Sequence, residues 1–280
     1  MTLIALTSAS GSPGVTTTAL GLALAWPRPV VLVEADPTGA SAIAAGYMRG
    51  SILPDRTIVD LAMSHRQGSL AEDLPRILIP LPDSQVKLLH GPLRHTQARS
   101  LDSVWESLAG ALKALERTGQ DVIVDAGRLG VEGAPTKLLT AADLTLLTTR
   151  TTLPALIGAK SWASTLHEAM HRAGATDTLG LALIGPGRPY GAKEARKVLN
   201  LPVVTSLPWD PTSAEVLSTG ADPDRAVNTS IWGRLLATVG AGRRFDAAPL
   251  PKALRATVQE MRSRITAARE DLDLAQEAAR

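Results

Sequence analysis

Cysteine is absent from the 280 residues, which excludes disulfides, thiolate metal sites and cysteine nucleophiles. Aromatic residues make up only 3% of the chain, so a core must be built from Leu, Val, Ile and Ala. No apolar run reaches the roughly 20 residues that a membrane-spanning helix needs. Residues 1–4 lead straight into an apolar segment without a basic leader, and we therefore expect a cytoplasmic protein without a transmembrane segment.

The charge of the chain is also low. Its 29 Lys and Arg residues and 27 Asp and Glu residues give a formal net charge of +2. Basic residues cluster weakly in two places, from Arg188 to Lys197 and from Arg234 to Arg244. Solvated helix faces explain such clusters, and weak, salt-dependent, non-specific binding to DNA is the functional alternative.

The pattern of apolar residues predicts an α/β fold. At 45% apolar content, 280 residues can bury the core of one large domain with an appendage. Apolar strands alternate with amphipathic helices, which predicts a mostly parallel, doubly wound sheet covered on both faces. About seven strands are expected, near residues 2–7, 29–34, 86–90, 121–125, 144–149, 178–184 and 203–207. Helices are expected near residues 16–26, 56–65, 99–118, 153–173, 190–199, 211–219 and 228–240.

A glycine-rich segment, residues 8–18, follows the first strand and opens the first helix, which is the position of a phosphate-binding loop. Gly11 and Gly14 can adopt positive φ, so that successive backbone N–H groups point at one anion. Thr16 has the position of a hydroxyl ligand of Mg²⁺. The loop contains no lysine, and Val15 stands where a phosphate-binding lysine is expected. An ordinary turn between a strand and a helix is the alternative for an isolated match.

Two further apolar strands lead to carboxylates. The strand near residues 29–34 is followed by Asp36, a proline and a glycine, and the strand near residues 121–125 ends in Asp125. Groups just beyond the carboxyl end of a parallel strand face the ligand in α/β sheets. The two carboxylates are therefore expected beside the phosphate-binding loop.

Together these segments resemble the ParA/MinD family, SIMIBI-class P-loop ATPases with a deviant Walker A loop that position plasmids, chromosomes, division sites and pili. The family loop reads Lys-Gly-Gly-x-Gly-Lys-Thr-Thr, and here Ser10 and Val15 replace its two lysines. The resemblance implies that Asp36 is the catalytic residue that orients the attacking water. It also implies that Thr16 and Asp125 are the metal-binding residues and that ATP and Mg²⁺ are the cofactors. Because both lysines are missing, we expect these cofactors to be bound weakly or not at all.

The resemblance covers roughly residues 1–240. Residues 142–148 resemble the family's strand after switch II, and residues 201–211 its late strand, which ends in a Pro-aromatic-Asp loop beside the adenine. Residues 184–190 depart from the Asn-Arg of many members and, with the late loop, are most similar to actinobacterial MinD-like proteins of the TadZ/CpaE kind, which localise secretion or pilus machinery. The nucleotide-binding residues implied by the resemblance are Gly11, Ser12, Pro13, Gly14, Val15, Thr16, Thr17, Arg188, Pro208 and Asp210.

The C-terminal region differs in kind from the rest. We divide the chain into a P-loop domain at residues 1–244, a Pro-rich linker at 245–251 and a C-terminal helix at 252–280. Apolar residues at the a/d spacing of a coiled coil are Leu254, Val258, Met261, Ile265, Ala268, Leu272 and Ala275. One interpretation is a helix that pairs with a second copy or with a protein partner. The other is a terminal helix that folds back onto the domain. Acidic and basic residues nearly balance along the helix, which argues against membrane binding.

The missing lysines lead to three hypotheses. Each charged hydrogen bond to phosphate contributes about 1.5 to 3 kcal/mol to binding, and a cation at the transferring phosphate is worth about 10³ to 10⁵ in rate. The first hypothesis is a degenerate family member, a homodimeric localisation or scaffold protein with weak or absent ATP hydrolysis. An active ATPase for partition or polar positioning is the second, and a non-specific DNA-binding protein is the third. Arg128, shortly after Asp125, is a hypothetical substitute for the missing cation.

Overall fold

The computed structural model describes residues 2–39, 41–52, 54–224 and 244–278, with side chains in the last segment described up to residue 268 and at Glu270. The helix predicted near residues 228–240 and the basic residues Arg234 and Arg243 lie outside the described residues.

The predicted α/β architecture is confirmed. One sheet contains eight strands in the order β3-β4-β2-β5-β1-β6-β7-β8, and all neighbours are parallel except β3 and β4. The strands are β1 Leu3–Ser8, β2 Val30–Glu34, β3 Ile79–Pro80, β4 Val86–Leu89, β5 Asp121–Arg128, β6 Leu144–Arg150, β7 Leu179–Ile184 and β8 Val203–Leu207. The unpredicted strand, β3, has two residues and contains Pro80, which is tolerated at a sheet edge.

Helices connect most of the parallel strands. They are α1 Val15–Leu24, α2 Asp60–Gln67, α3 Leu70–Asp73, α4 Trp105–Ala114, α5 Thr136–Ala141, α6 Leu153–Arg172, α7 Ala192–Leu199, α8 Pro211–Thr219 and α9 Pro249–Ala278. The helix expected at 99–118 is divided into a 3₁₀ segment His95–Leu101, α4, and a 3₁₀ turn Leu115–Thr118. Helices α3 and α5 and a π-helical turn, Ile43–Tyr47, were not predicted.

The two faces of the sheet form two apolar cores. Alternate residues of β1 point to opposite faces, so Leu3 and Ala5 belong to one core and Ile4 and Leu6 to the other. Residues of α2 to α7 cover the first face, and residues of α1, α8 and α9 cover the second. Burial on both faces explains why the central strands are almost continuously apolar.

Helix α9 folds back onto the domain. Leu254, Val258, Met261 and Ile265 are buried in the core beneath α1 and β8. The hydroxyl oxygens of Thr205 and Thr257 lie 2.5 Å apart across this contact.

The coiled-coil interpretation is therefore wrong for this part of the helix, because its apolar seam is already covered by its own chain. Ala268 is exposed, and the side chains of Leu272 and Ala275 lie outside the described residues. The helix begins at Pro249 rather than at residue 252, and a 3₁₀ turn, Phe245–Ala247, precedes it within the segment predicted as a linker.

Along the described stretches of the chain, no helix combines the length and apolar character needed to cross a membrane.

The packing of α9 predicts a loss of stability when its buried seam is truncated. Met261 is fully buried, so Met261→Ala should lower the free energy of unfolding by about 2 to 5 kcal/mol in urea denaturation. The exposed Thr266→Ala, one turn further along, should change it by less than about 0.5 kcal/mol. Equal, small effects of both substitutions would contradict the observed packing.

Candidate functional site

The predicted site residues lie at one edge of the sheet. Strand β1 lies between β5 and β6, so the connection from β5 to β6 passes over β1 and creates a switch point in the strand order. Ligands bind outside the carboxyl ends of parallel strands at such points. The glycine-rich loop follows β1 here. Asp36 follows β2, Asp125 lies in β5, and Arg188 and Asp210 follow β7 and β8.

The loop has the backbone geometry of an anion-binding segment. The φ angles of Gly11, Ser12 and Gly14 are 72°, 44° and 107°, all in the left-handed region. A Cβ on Gly11 or Gly14 would meet no neighbouring atom, so glycine is favoured at these positions by the φ angle and not by lack of space. Helix α1 begins at Val15 without a side-chain cap, which leaves its first N–H groups free to bind an anion.

Three positions of the loop lack the donors that usually bind phosphate. Val15 is 6% exposed and packs into the core beneath α1, so its side chain offers no donor to phosphate. Pro13 has no N–H group, so the row of backbone donors is interrupted. The Ser10 hydroxyl faces α6, 3.0 Å from the position that a Cβ on Gly158 would occupy.

Carboxylates surround a small cavity on the β5 side of the loop, which we call the acidic pocket. It has a volume of about 40 Å³ and is lined by Thr16, Glu34, Asp36 and Asp125, together with residues of the loops that follow β2 and β4. Asp125 is buried, and one of its oxygens accepts a hydrogen bond of 3.0 Å from the Gly127 N–H. The sequence analysis did not assign Glu34 to the site, although it is the acidic last residue of a buried strand.

Asp36 is fixed by its neighbours. Its Oδ1 accepts hydrogen bonds from the backbone N–H and the hydroxyl of Thr38, at 2.9 and 2.7 Å. The rest of its carboxyl group packs against Gly127, where a Cβ would overlap with it. Gly127 also has a φ of 59°, so both the backbone and the space around it require glycine.

Burial shifts two carboxyl groups of the acidic pocket, those of Asp125 and Glu34, toward their neutral forms. Burial raises the pKa of Asp125 to about 7; the Thr16 hydroxyl and the Gly127 N–H oppose this shift, and the Asp36 and Glu34 carboxylates add to it. Burial also raises the pKa of Glu34, although a 2.5 Å hydrogen bond from Ser41 favours its charged form.

The acidic pocket offers only part of a metal site. No set of three or more His, Asp or Glu side chains within the described ranges is arranged to chelate a metal ion. Mg²⁺ at phosphate sites uses one or two carboxylates and completes its coordination with water and phosphate oxygens. The hydroxyl of Thr16 and the carboxylate of Asp125 fit that limited role.

A larger cavity, of about 290 Å³, lies on the β6 side of the loop, and we call it the side cavity. It separates the loop and the start of α1 from the β8–α8 connection. Its lining residues are Ser12, Pro13, Gly14, Thr17, Thr18, Arg150, Ile184, Leu207, Pro208, Trp209, Asp210, Pro211, Ala214, Glu215, Ser218 and Leu250. Its volume is near the lower end of the range for small-molecule pockets, and most of its walls are apolar.

The structure brings only part of the predicted nucleotide-binding set to the side cavity. Pro208 and Asp210 line it, but both Asp210 oxygens already accept backbone hydrogen bonds, from Ser213 at 3.1 Å and from Leu250 at 3.2 Å. Asp210 thus connects the start of α8 to the start of α9. The side chain of Arg188 is exposed and does not line the cavity.

Arg150 is a site residue that the sequence analysis missed. Its Nη2 donates a hydrogen bond of 3.2 Å to the Ser12 carbonyl, and its guanidinium carbon lies 4.8 Å from the centre of the Trp209 ring. The available signal was a basic residue that ends an apolar strand at the ligand edge. Arg128, the hypothetical substitute cation, is exposed and lines neither cavity.

No protein-family model matches the chain, and no curated protein matches its sequence. Solved structures do match. The cell division ATPase MinD of Pyrococcus furiosus is 19% identical with a TM-score of 0.66, over 94% of this chain and 98% of that chain. The septum site-determining protein MinD of Pyrococcus horikoshii OT3, solved with Mg-ADP, is 18% identical with a TM-score of 0.65, over 93% and 95%.

A ParA family ATPase from Chlorobium tepidum TLS is 12% identical with a TM-score of 0.66, over 92% of this chain and 97% of that chain. Identities this low carry information on the fold alone. The chain has the fold of the MinD and ParA P-loop ATPases.

Proposed function

We propose that this protein is a positioning or scaffold protein of the ParA/MinD kind that binds Mg-nucleotide weakly and hydrolyses ATP slowly or not at all. The observation that carries the proposal is the loop itself. The first N–H groups of α1 have no side-chain cap, while the lysine position is filled by Val15, which is buried in the core. Such a loop can bind phosphate only through backbone dipoles and hydroxyl groups.

The expected weakness follows from the missing donors. Each lost charged hydrogen bond to phosphate costs about 1.5 to 3 kcal/mol, or roughly ten- to two-hundred-fold in affinity. Pro13 removes a backbone donor as well. The solved MinD structure with Mg-ADP supports nucleotide as the ligand class for this fold.

Loss of hydrolysis follows from the charges around the acidic pocket. Three carboxyl groups line it, and no described lysine or arginine does. Mg²⁺, when bound, would offset part of this negative charge beside Thr16 and Asp125. Without a cation at the transferring phosphate, the rate of hydrolysis is lower by a factor of about 10³ to 10⁵, even if Asp36 orients a water molecule.

We further propose that the protein is a homodimer that recruits protein partners. Leu153 and Ile157, one turn apart at the start of α6, are 51% and 62% exposed, and Ser10 of the loop packs beside them at Gly158. This apolar surface on the loop side supports pairing of two copies across that face. Partners in secretion or pilus machinery fit the resemblance of the late loop to proteins of the TadZ/CpaE kind. Before Ile265 the apolar seam of α9 is buried, so a partner of this part of the helix would contact its exposed outer face, which includes Arg255, Gln259 and Glu260.

Two other functions remain candidates on specific observations. An active positioning ATPase is supported by the fold, since the matched structures include a cell division ATPase. Non-specific DNA binding is supported by α7, where Lys193, Arg196 and Lys197 are all exposed.

Restoring a lysine tests the proposal. In calorimetric titrations with Mg-ADP, Val15→Lys should tighten binding by about ten- to two-hundred-fold, because it adds a charged donor to phosphate. Val15→Met is the matched control, since it adds length without charge and should leave the affinity unchanged. In parallel, the wild-type protein should release little phosphate at saturating Mg-ATP. Tight binding and steady phosphate release by the wild-type protein would favour the active ATPase instead.

The acidic pocket predicts a dependence of stability on pH. The Asp125 pKa of about 7 lies above its unfolded value of 3.8, so the folded state retains a proton that the unfolded chain loses between these values. Stability should therefore fall as the pH rises from 4 to 7. Asp125→Asn removes this term and should stabilise the protein by about 2 to 4 kcal/mol at pH 8 but hardly at pH 4, measured by urea denaturation. An equal effect at both pH values would show that Asp125 is ionised throughout.

A further inference from the structure

Arg150 is positioned by the register of the central strands. Ser8, the last residue of β1, pairs with Thr148 of β6, so Arg150 lies two residues beyond the contact with β1, beside the loop, while it pairs with Ile184 of β7 on the other side. Arg150 and Leu146 are four residues apart in the strand, so their side chains point to the same face of the sheet, and Leu146 packs in the core beneath α1. The guanidinium group therefore lies on the α1 side of the sheet, facing the start of that helix.

The guanidinium group of Arg150 uses only part of its hydrogen-bonding capacity within the described residues. One N–H bonds to the Ser12 carbonyl, and the plane stacks on Trp209. The Nε is buried and has no hydrogen-bond partner in the described part of the chain. Among the described residues, Arg150 also forms no ion pair with a carboxylate. An arginine without a carboxylate partner that lines a cavity can accept an anionic ligand there, and the accessible Nη2 is the atom that such a ligand would meet.

The shapes of the two cavities determine which part of a nucleotide meets Arg150. The acidic pocket, at about 40 Å³, has room for an ion but not for a nucleoside. The side cavity, at about 290 Å³ and walled by Pro208 and Trp209, can hold planar apolar groups. A nucleotide on the loop would therefore direct its nucleoside and nearest phosphate to the Arg150 side, and its terminal phosphate to the acidic side.

We infer that Arg150 is the phosphate-binding cation of this site and that it contacts the nucleoside-proximal phosphate rather than the terminal one. The inference rests on the proposed function, because it assigns the charge for the nucleotide that the loop is proposed to bind. Arginine suits this role, since its planar fork can donate two hydrogen bonds to phosphate while stacking on an aromatic ring. The ligand class is accordingly nucleoside phosphates that are recognised by their first phosphate. A third phosphate would add little affinity, because it would lie beside the carboxyl groups of Glu34, Asp36 and Asp125.

Calorimetric titration with ADP and with adenosine tests the inference. Arg150→Gln should weaken ADP binding about ten-fold or more and leave the affinity for uncharged adenosine unchanged. Arg150→Lys should retain part of the ADP affinity, because it keeps the charge but not the fork. Arg172→Gln, which removes an exposed arginine at the far end of α6, is the control and should change neither affinity.

The outcomes separate this inference from the proposed function. If wild-type protein binds ADP and Arg150→Gln binds it equally well, the role of Arg150 is overturned while nucleotide binding stands. An equal loss of ADP and adenosine affinity would also overturn it, because Arg150 would then act by packing against Trp209. If folded wild-type protein binds no ADP at all, both fall. Thermal unfolding of each variant, together with the Arg150→Lys titration, distinguishes a loss of binding from a loss of folding.

Discussion

The position of β1 between β5 and β6 is the constraint on which the site depends. Because all three strands are parallel and buried on both faces, their register is fixed by the two apolar cores. The loop after β1 must then emerge with Asp125 on one side and Arg150 on the other. Negative and positive groups are thus separated by the loop, and an anionic ligand bound there would be oriented by the sheet itself.

Much of the fold could be predicted from sequence because burial on both faces leaves strands as continuous apolar runs. Short elements escaped: β3 has two residues and α5 has six, which is too few for a periodic pattern. The a/d spacing of α9 was ambiguous for a different reason. A helix that packs on its own sheet and one that pairs with another helix can bury the same stripe, so the choice depends on contacts with residues far along the chain.

The parts of the site that depend on short sequence motifs were predictable, and the part that depends on contacts between distant residues was missed. Glycines with positive φ and carboxylates at strand ends are visible in sequence, and the structure does bring the loop, Asp36 and Asp125 together. Arg150 belongs to no motif, and its role depends on Trp209, 59 positions away in the chain, stacking against it. With the inferred role of Arg150, the loop would keep the frame of a phosphate loop while its charge comes from a neighbouring strand.

The central claim is that backbone N–H groups of the lysine-free loop bind phosphate weakly. The most direct measurement is the NMR amide shifts of residues 11–17 during titration with Mg-ADP. The account predicts that the amides of Gly14, Val15 and Thr16 shift progressively in fast exchange, as expected for weak binding. It would be contradicted if these amides did not move at saturating nucleotide, or if they shifted in slow exchange, as tight binding requires.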